Sequence, residues 1–109
     1  LPREAVITDV DIREAMYGSV SQLVDAIREV LETTPPEVLA DIMQKGMTLA
    51  GGGALIKNLP QLIEMQLKVP VGVADDPLTA VARGTGVILE DIDLYKDVLV
   101  ENTDEISFR

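Results

Sequence analysis

The sequence predicts an α/β fold with at least part of its sheet parallel. Three observations carry that prediction. Short, apolar, β-prone runs alternate with longer stretches whose apolar residues recur every three or four positions. Proline, glycine and paired aspartates punctuate the boundaries. Finally, LAGGGALIKNLP at 49–60 puts three glycines between an apolar run and a helical pattern, as at a strand-to-helix junction.

Each element follows in turn. REAVIT at 3–8 is short and β-rich and reads as a strand. Thr8, with Asp11 three residues on, forms a capping box, although Glu or Gln is the usual partner. Ile12, Met16, Val20, Leu23, Val24, Ile27, Val30 and Leu31 then fall on one helical stripe. Asp11, Glu14, Gln22, Asp25, Arg28, Glu29 and Glu32 fill the opposite side. Gly18 interrupts the pattern at a cost of about 1 kcal/mol relative to Ala, and a bend or break is expected there. TTPPE at 33–37 is a stop followed by a start, with Thr34 placed to cap and proline in the first turn. Residues 36–45 form a short helix with Val38, Leu39, Ile42 and Met43 inward, and Gly46 ends it in a left-handed conformation. MTLA at 47–50 fits a buried strand. ALIKNL starts a helical turn, and 60–68 continue as a helix with Pro60 near its start. VPVGVA at 69–74 is a second strand. Asp76 as N-cap and Pro77 at the first position open a helix that runs to about residue 90 and contains Gly84 and Gly86. The remainder is charge-rich without a period, in part an extension of that helix and frayed at its end.

The bulk composition narrows the function. The chain has 109 residues, enough for one domain and a modest core. Its three aromatics are Tyr17, Tyr95 and Phe108, so the core is aliphatic. A net charge of −10 argues against nucleic acid, which needs clustered Lys and Arg, and against docking on anionic lipid. It suits a cytosolic surface. The absence of Cys and His excludes disulfides, thiolate metal sites, His-ligated zinc and Ser-His-Asp catalysis within this segment. No apolar run approaches the ~20 residues of a membrane helix. The sequence begins with Leu rather than Met and has no signal-peptide pattern, so it is expected to be cut from a longer chain.

The glycines have two readings on spacing alone. Without a Cβ, a ligand can lie directly against the backbone, above a strand end where free N–H groups converge. The alternative is a tight turn and nothing more. GGGALIKN is neither G-x-G-x-x-G nor the phosphate loop G-x-x-x-x-G-K-[ST], and spacing favours the turn. Gly84 and Gly86 read first as helix-packing positions, with a ligand or hinge role second. Asp75 and Asp76 read as helix caps rather than an acid/base pair. Met16, Met43, Met47 and Met65 read as core fillers, and the acidic face of the first helix as solvated.

Three blocks in order, LETTPPEVLADIMQKG, MTLAGGGALIKNLPQLI and VPVGVADDPLTAVARGTGVIL, resemble the C-terminal part of the MreB family of bacterial actin-like proteins. The resemblance covers roughly residues 2 to 92. It implies a partial actin and sugar-kinase ATPase fold: most of the closing half of subdomain IIA plus the end of IIB. Residues 1–92 would be the C-terminal part of an actin-like lobe and 93–109 a tail. The resemblance makes the glycine turn the adenosine motif, pointing to Gly51, Gly52, Gly53, Ala54 and Leu55 as an ATP/ADP half-site. It makes DPLTAVARGTG the second connecting segment, where Ala82, Gly84 and Gly86 allow close helix packing.

The family's phosphate hairpins, catalytic acid, magnesium-associated carboxylate and membrane-binding elements would lie upstream of Leu1. The resemblance therefore implies no ATP hydrolysis, magnesium or membrane contact from this segment alone. The full protein would be a filament-forming ATPase. Its partners would be other copies of itself and the cell-wall synthesis machinery, and its filaments would lie beneath the inner membrane of rod-shaped bacteria. The adenosine-type turn alone leaves a heat-shock chaperone or a sugar kinase as alternatives. A non-enzymatic interaction module, whose acidic helix meets a basic partner, is a third.

Overall fold

The computed structural model describes residues 1–99. Its centre is a parallel pair of three-residue strands, β1 (Met47–Leu49) and β2 (Val71–Val73), in the register Met47 with Val71, Thr48 with Gly72 and Leu49 with Val73. Parallel strands need a long crossover, and the helix α3 (Leu59–Leu67) supplies it. α3 packs on β2, and the long helix α1 (Asp9–Glu32) packs on α3. The helix α2 (Pro36–Lys45) leads into β1, and α4 (Ala80–Glu90) follows β2.

The core is small and aliphatic. Val24 of α1 meets Leu59 and Ile63 of α3, and Val20, Ile27, Met47, Leu49, Leu67 and Val71 pack around them. Ile63 and Val69 are fully buried, and each such side chain contributes about 1.5–3 kcal/mol. The stripe predicted on α1 is only partly used. Val24 is buried and Val20, Ile27 and Leu31 are half-buried, while Ile12, Met16, Leu23 and Val30 stay exposed.

Several local expectations need correction. Residues 1–8 form no strand: among the described residues no neighbouring strand offers them hydrogen bonds. α1 runs through Gly18 without a break, since a single glycine costs less than the packing of the turns beyond it returns. The Thr8 and Asp11 capping box is complete in both directions: the Asp11 N–H donates to Thr8 Oγ1 (3.3 Å) and the Thr8 N–H to Asp11 Oδ2 (3.0 Å). Thr34 does not cap α2. Its hydroxyl donates instead to the Val30 carbonyl (2.6 Å) and seals the end of α1.

On α2, Leu39 and Ile42 are half-buried but Val38 and Met43 are exposed. Of the four methionines, Met47 packs against the core, while Met16, Met43 and Met65 are exposed. Gly46 has a positive φ of 86°, but with ψ at −172° it is extended rather than left-handed helical. The charge-rich stretch after α4 turns through residues 91–95 into a short 3₁₀ segment, Lys96–Val98, instead of extending the helix. The frayed end expected beyond it lies outside the described residues.

Candidate functional site

The site is built where both parallel strands end. β1 runs into Ala50 and Gly51, and a 3₁₀ turn, Gly52–Leu55, follows at once. Gly51 has φ +84°, a conformation that only glycine adopts without strain. The Ala54 N–H closes back on the Gly51 carbonyl (3.2 Å) and the Ile56 N–H on that of Gly53 (3.1 Å). The amides of Gly52 and Gly53 begin the turn and stand outside its hydrogen-bond ladder.

Each predicted residue has a distinct place. Gly51 is half-buried, and Gly52 and Gly53 are exposed at the end of the sheet. Ala54 is buried and anchors the turn to the protein. Leu55 is exposed. A Cβ added at Gly53 would meet no atom within 4 Å among the described residues, and one at Gly52 would meet only Leu78 Cδ2, at 3.4 Å. Crowding within the chain therefore does not account for glycine at position 53. An open backbone cradle of this kind suits a flat ligand lying against it.

The loop after β2, residues 75–79, lies beside this turn. The Gly51 N–H donates to the Pro77 carbonyl (2.8 Å), and the Ala74 N–H to the Leu49 carbonyl (2.9 Å). The sequence places Asp76 as the N-cap of a helix beginning at Pro77, but α4 begins at Ala80. The physical reason is visible in the Pro77 carbonyl, which is turned to Gly51 instead of accepting a helical bond. Asp76 sits at φ +44°, and its carboxylate accepts from the Thr79 hydroxyl (2.7 Å). Arg83 on α4 reaches back over this loop. Its Nε donates to Thr79 Oγ1 (3.1 Å), and its Nη2 to the carbonyls of Asp75 and of Asp76 (3.1 Å for the latter).

Sequence reasoning does not find Pro77 and Leu78 as neighbours of the turn, or Arg83 as the residue that ties down their loop. The one available signal was the i, i+4 spacing of Thr79 and Arg83 on a helix face. Among the described residues nothing packs closely on this stretch of α4: Ala82 and Gly84 are exposed, and a Cβ at Gly84 or Gly86 would meet no atom within 4 Å. A separate groove of about 570 Å³ lies between α1 and residues 56–62, lined by Ile12, Met16, Tyr17, Val20, Leu59 and Leu62 among others. It includes none of residues 51–55. No described helix is long and apolar enough to cross a membrane.

The family model described as MreB/Mbl protein matches residues 1–97. The chain belongs to the MreB/Mbl family. Membership separates it from the heat-shock chaperone and sugar-kinase alternatives. Among curated MreB/Mbl proteins, it is 47% identical over 93 residues to the cell shape-determining protein Mbl of Bacillus subtilis, covering 85% of this chain and 28% of that protein. It is 48% identical over 94 residues to the cell shape-determining protein MreB of Pasteurella multocida, covering 86% and 27% respectively. MreB5 of Spiroplasma citri bound to ADP superposes with a TM-score of 0.82 at 37% identity, over 89% of this chain and 30% of that one. MreB5 bound to AMPPNP gives a TM-score of 0.81, also at 37% identity, over 89% of this chain and 29% of that one. The α/β architecture is thus part of an actin-like fold, and the chain spans a little over a quarter of the length of the curated relatives it matches.

Proposed function

We propose that this chain supplies the adenosine side of the ATP/ADP site in a polymer-forming, actin-like cytoskeletal protein that maintains cell shape. The observation that carries the reading is the open glycine cradle at the carboxyl end of two parallel strands, in a chain that superposes on MreB5 bound to ADP and to AMPPNP. Gly51, Gly52 and Gly53 present backbone to the nucleotide, Ala54 holds the turn down, and Leu55 borders it. Residues 1–92 act as part of one lobe, with 93–109 as a tail. Phosphate-binding loops, a catalytic acid and the magnesium site belong to other parts of the intact protein, so hydrolysis is a property of the whole. Filaments grow by head-to-tail contacts between copies, lie beneath the inner membrane and organise the cell-wall synthesis machinery.

Gly53→Val tests the assignment, because a Cβ there meets no atom within 4 Å among the described residues, whereas a nucleotide lying against the backbone would meet it. In the full-length protein, ADP affinity by calorimetry is expected to fall at least about tenfold. The unfolding free energy should stay within about 0.5 kcal/mol of the parent, as for other surface substitutions. Unchanged ADP affinity would leave the glycines as a turn only.

A further inference from the structure

Arg83 is exposed on α4, well along the chain from the glycines, yet its hydrogen bonds converge on the loop that holds them. The guanidinium addresses three acceptors at once: the carbonyls of Asp75 and Asp76, and the Thr79 hydroxyl. A planar fork can do this and a lysine ammonium cannot with the same geometry. The Thr79 hydroxyl passes the linkage on by donating to the Asp76 carboxylate at 2.7 Å. These bonds hold Asp76 at φ +44°, a conformation uncommon outside glycine. The next residue, Pro77, offers the carbonyl that accepts the Gly51 N–H, and Leu78 lies against Gly52. The loop therefore touches the glycine turn at two successive residues, and both follow directly from the segment that Arg83 clamps.

We propose that Arg83 is a positioning residue for the glycine turn. By fixing the 75–79 loop it sets the Pro77 carbonyl, and through the bond to Gly51 it fixes the aim of the turn. The effect on nucleotide binding rests on the proposed function above, whereas the coupling of the two loops does not.

The test is amide hydrogen exchange by NMR, with ADP calorimetry on the same full-length proteins, for the parent, Arg83→Gln, Arg83→Lys and Thr79→Val. Exchange at Gly51 is read against Ile63 in α3, which reports the integrity of the core. In Arg83→Gln, Gly51 should exchange about tenfold faster while Ile63 is unmoved, the loss of a charge-assisted bond being of that order. Arg83→Lys should fall between the two. The double variant Arg83→Gln with Thr79→Val should be no worse than the worse single one, because both break one network. ADP affinity in Arg83→Gln should drop about fivefold, tracking the Gly51 change. Unchanged Gly51 exchange would overturn the proposal, as would equal acceleration at Gly51 and Ile63, which would make Arg83 a general stabiliser. Faster Gly51 exchange with unaltered ADP affinity would overturn its functional half. Failure of the parent to bind ADP would remove the nucleotide reading, and Gly51 exchange would still decide the coupling.

Discussion

At Gly46 a Cβ would stand 2.5 Å from the Pro70 carbonyl oxygen, and φ is +86°. Two constraints act together there, a backbone region closed to most L-residues and a direct overlap with β2's approach. Met47 donates its N–H to the same Pro70 carbonyl at 2.8 Å, so neither segment can retreat without losing the first bond of the ladder. Gly46→Ala should therefore destabilise the chain by about 3 kcal/mol in urea unfolding. A loss under about 1 kcal/mol would mean that Pro70 yields freely. The sequence shows half of this: a glycine after a helical run marks a positive φ, but Pro70 is distant in the chain and its approach is a product of parallel pairing. Gly51, Gly52 and Gly53 stand out as a run of glycines at a strand-to-helix junction, and it is the family resemblance, not their spacing, that marks them as candidates. That Pro77 and Leu78 meet them could not be read in the same way, because those contacts exist only once β1 and β2 lie side by side.

At the scale of elements, helices with strong periodicity or clear punctuation were legible and segments that depend on a neighbour were not. α1 follows from its apolar spacing, and α2 from the two prolines and Gly46 that bound it. Residues 3–8 have strand composition but no strand beside them, and composition cannot supply a hydrogen-bonding partner. α4 starts later than its Asp-Pro signal suggests because a tertiary bond takes the Pro77 carbonyl. The start of α1 gives a prediction in pH. The Thr8 backbone N–H, and after it the Thr8 hydroxyl, hold the Asp11 carboxyl below the usual carboxylate range. Folding thus lowers its pKa. The stabilisation is fully present above the unfolded-state value and drains away as pH falls through the folded one. In an NMR titration Asp11 should protonate at lower pH than an ordinary aspartate, and Thr8→Ala, which removes the hydroxyl but keeps the backbone N–H, should move it only part of the way back. The same midpoint in both proteins would show that the Thr8 hydroxyl has no part in holding the charge.

The whole molecule is open for its length. Its radius of gyration is 18.8 Å, against about 13 Å for a compact chain of 100 residues. Among the described residues only Val24, Ala54, Leu59, Ile63 and Val69 are buried hydrophobics, while Leu78, Val81, Val87, Leu89 and Ile92 leave apolar surface in and around α4. That surface favours association and the net charge of −10 opposes it. The mass of this 109-residue chain by light scattering should accordingly rise with concentration, and more steeply when salt screens the repulsion. A constant monomer mass across concentration and salt would contradict this. The parallel pairing has one more consequence, in the order of assembly. Met47 meets Val71 across a single intervening helix, so the entropic toll of closing that loop is modest. The β1–α3–β2 unit is therefore expected to form before α4 is placed, and substitutions at Ile63 should slow folding more than substitutions on α4 do.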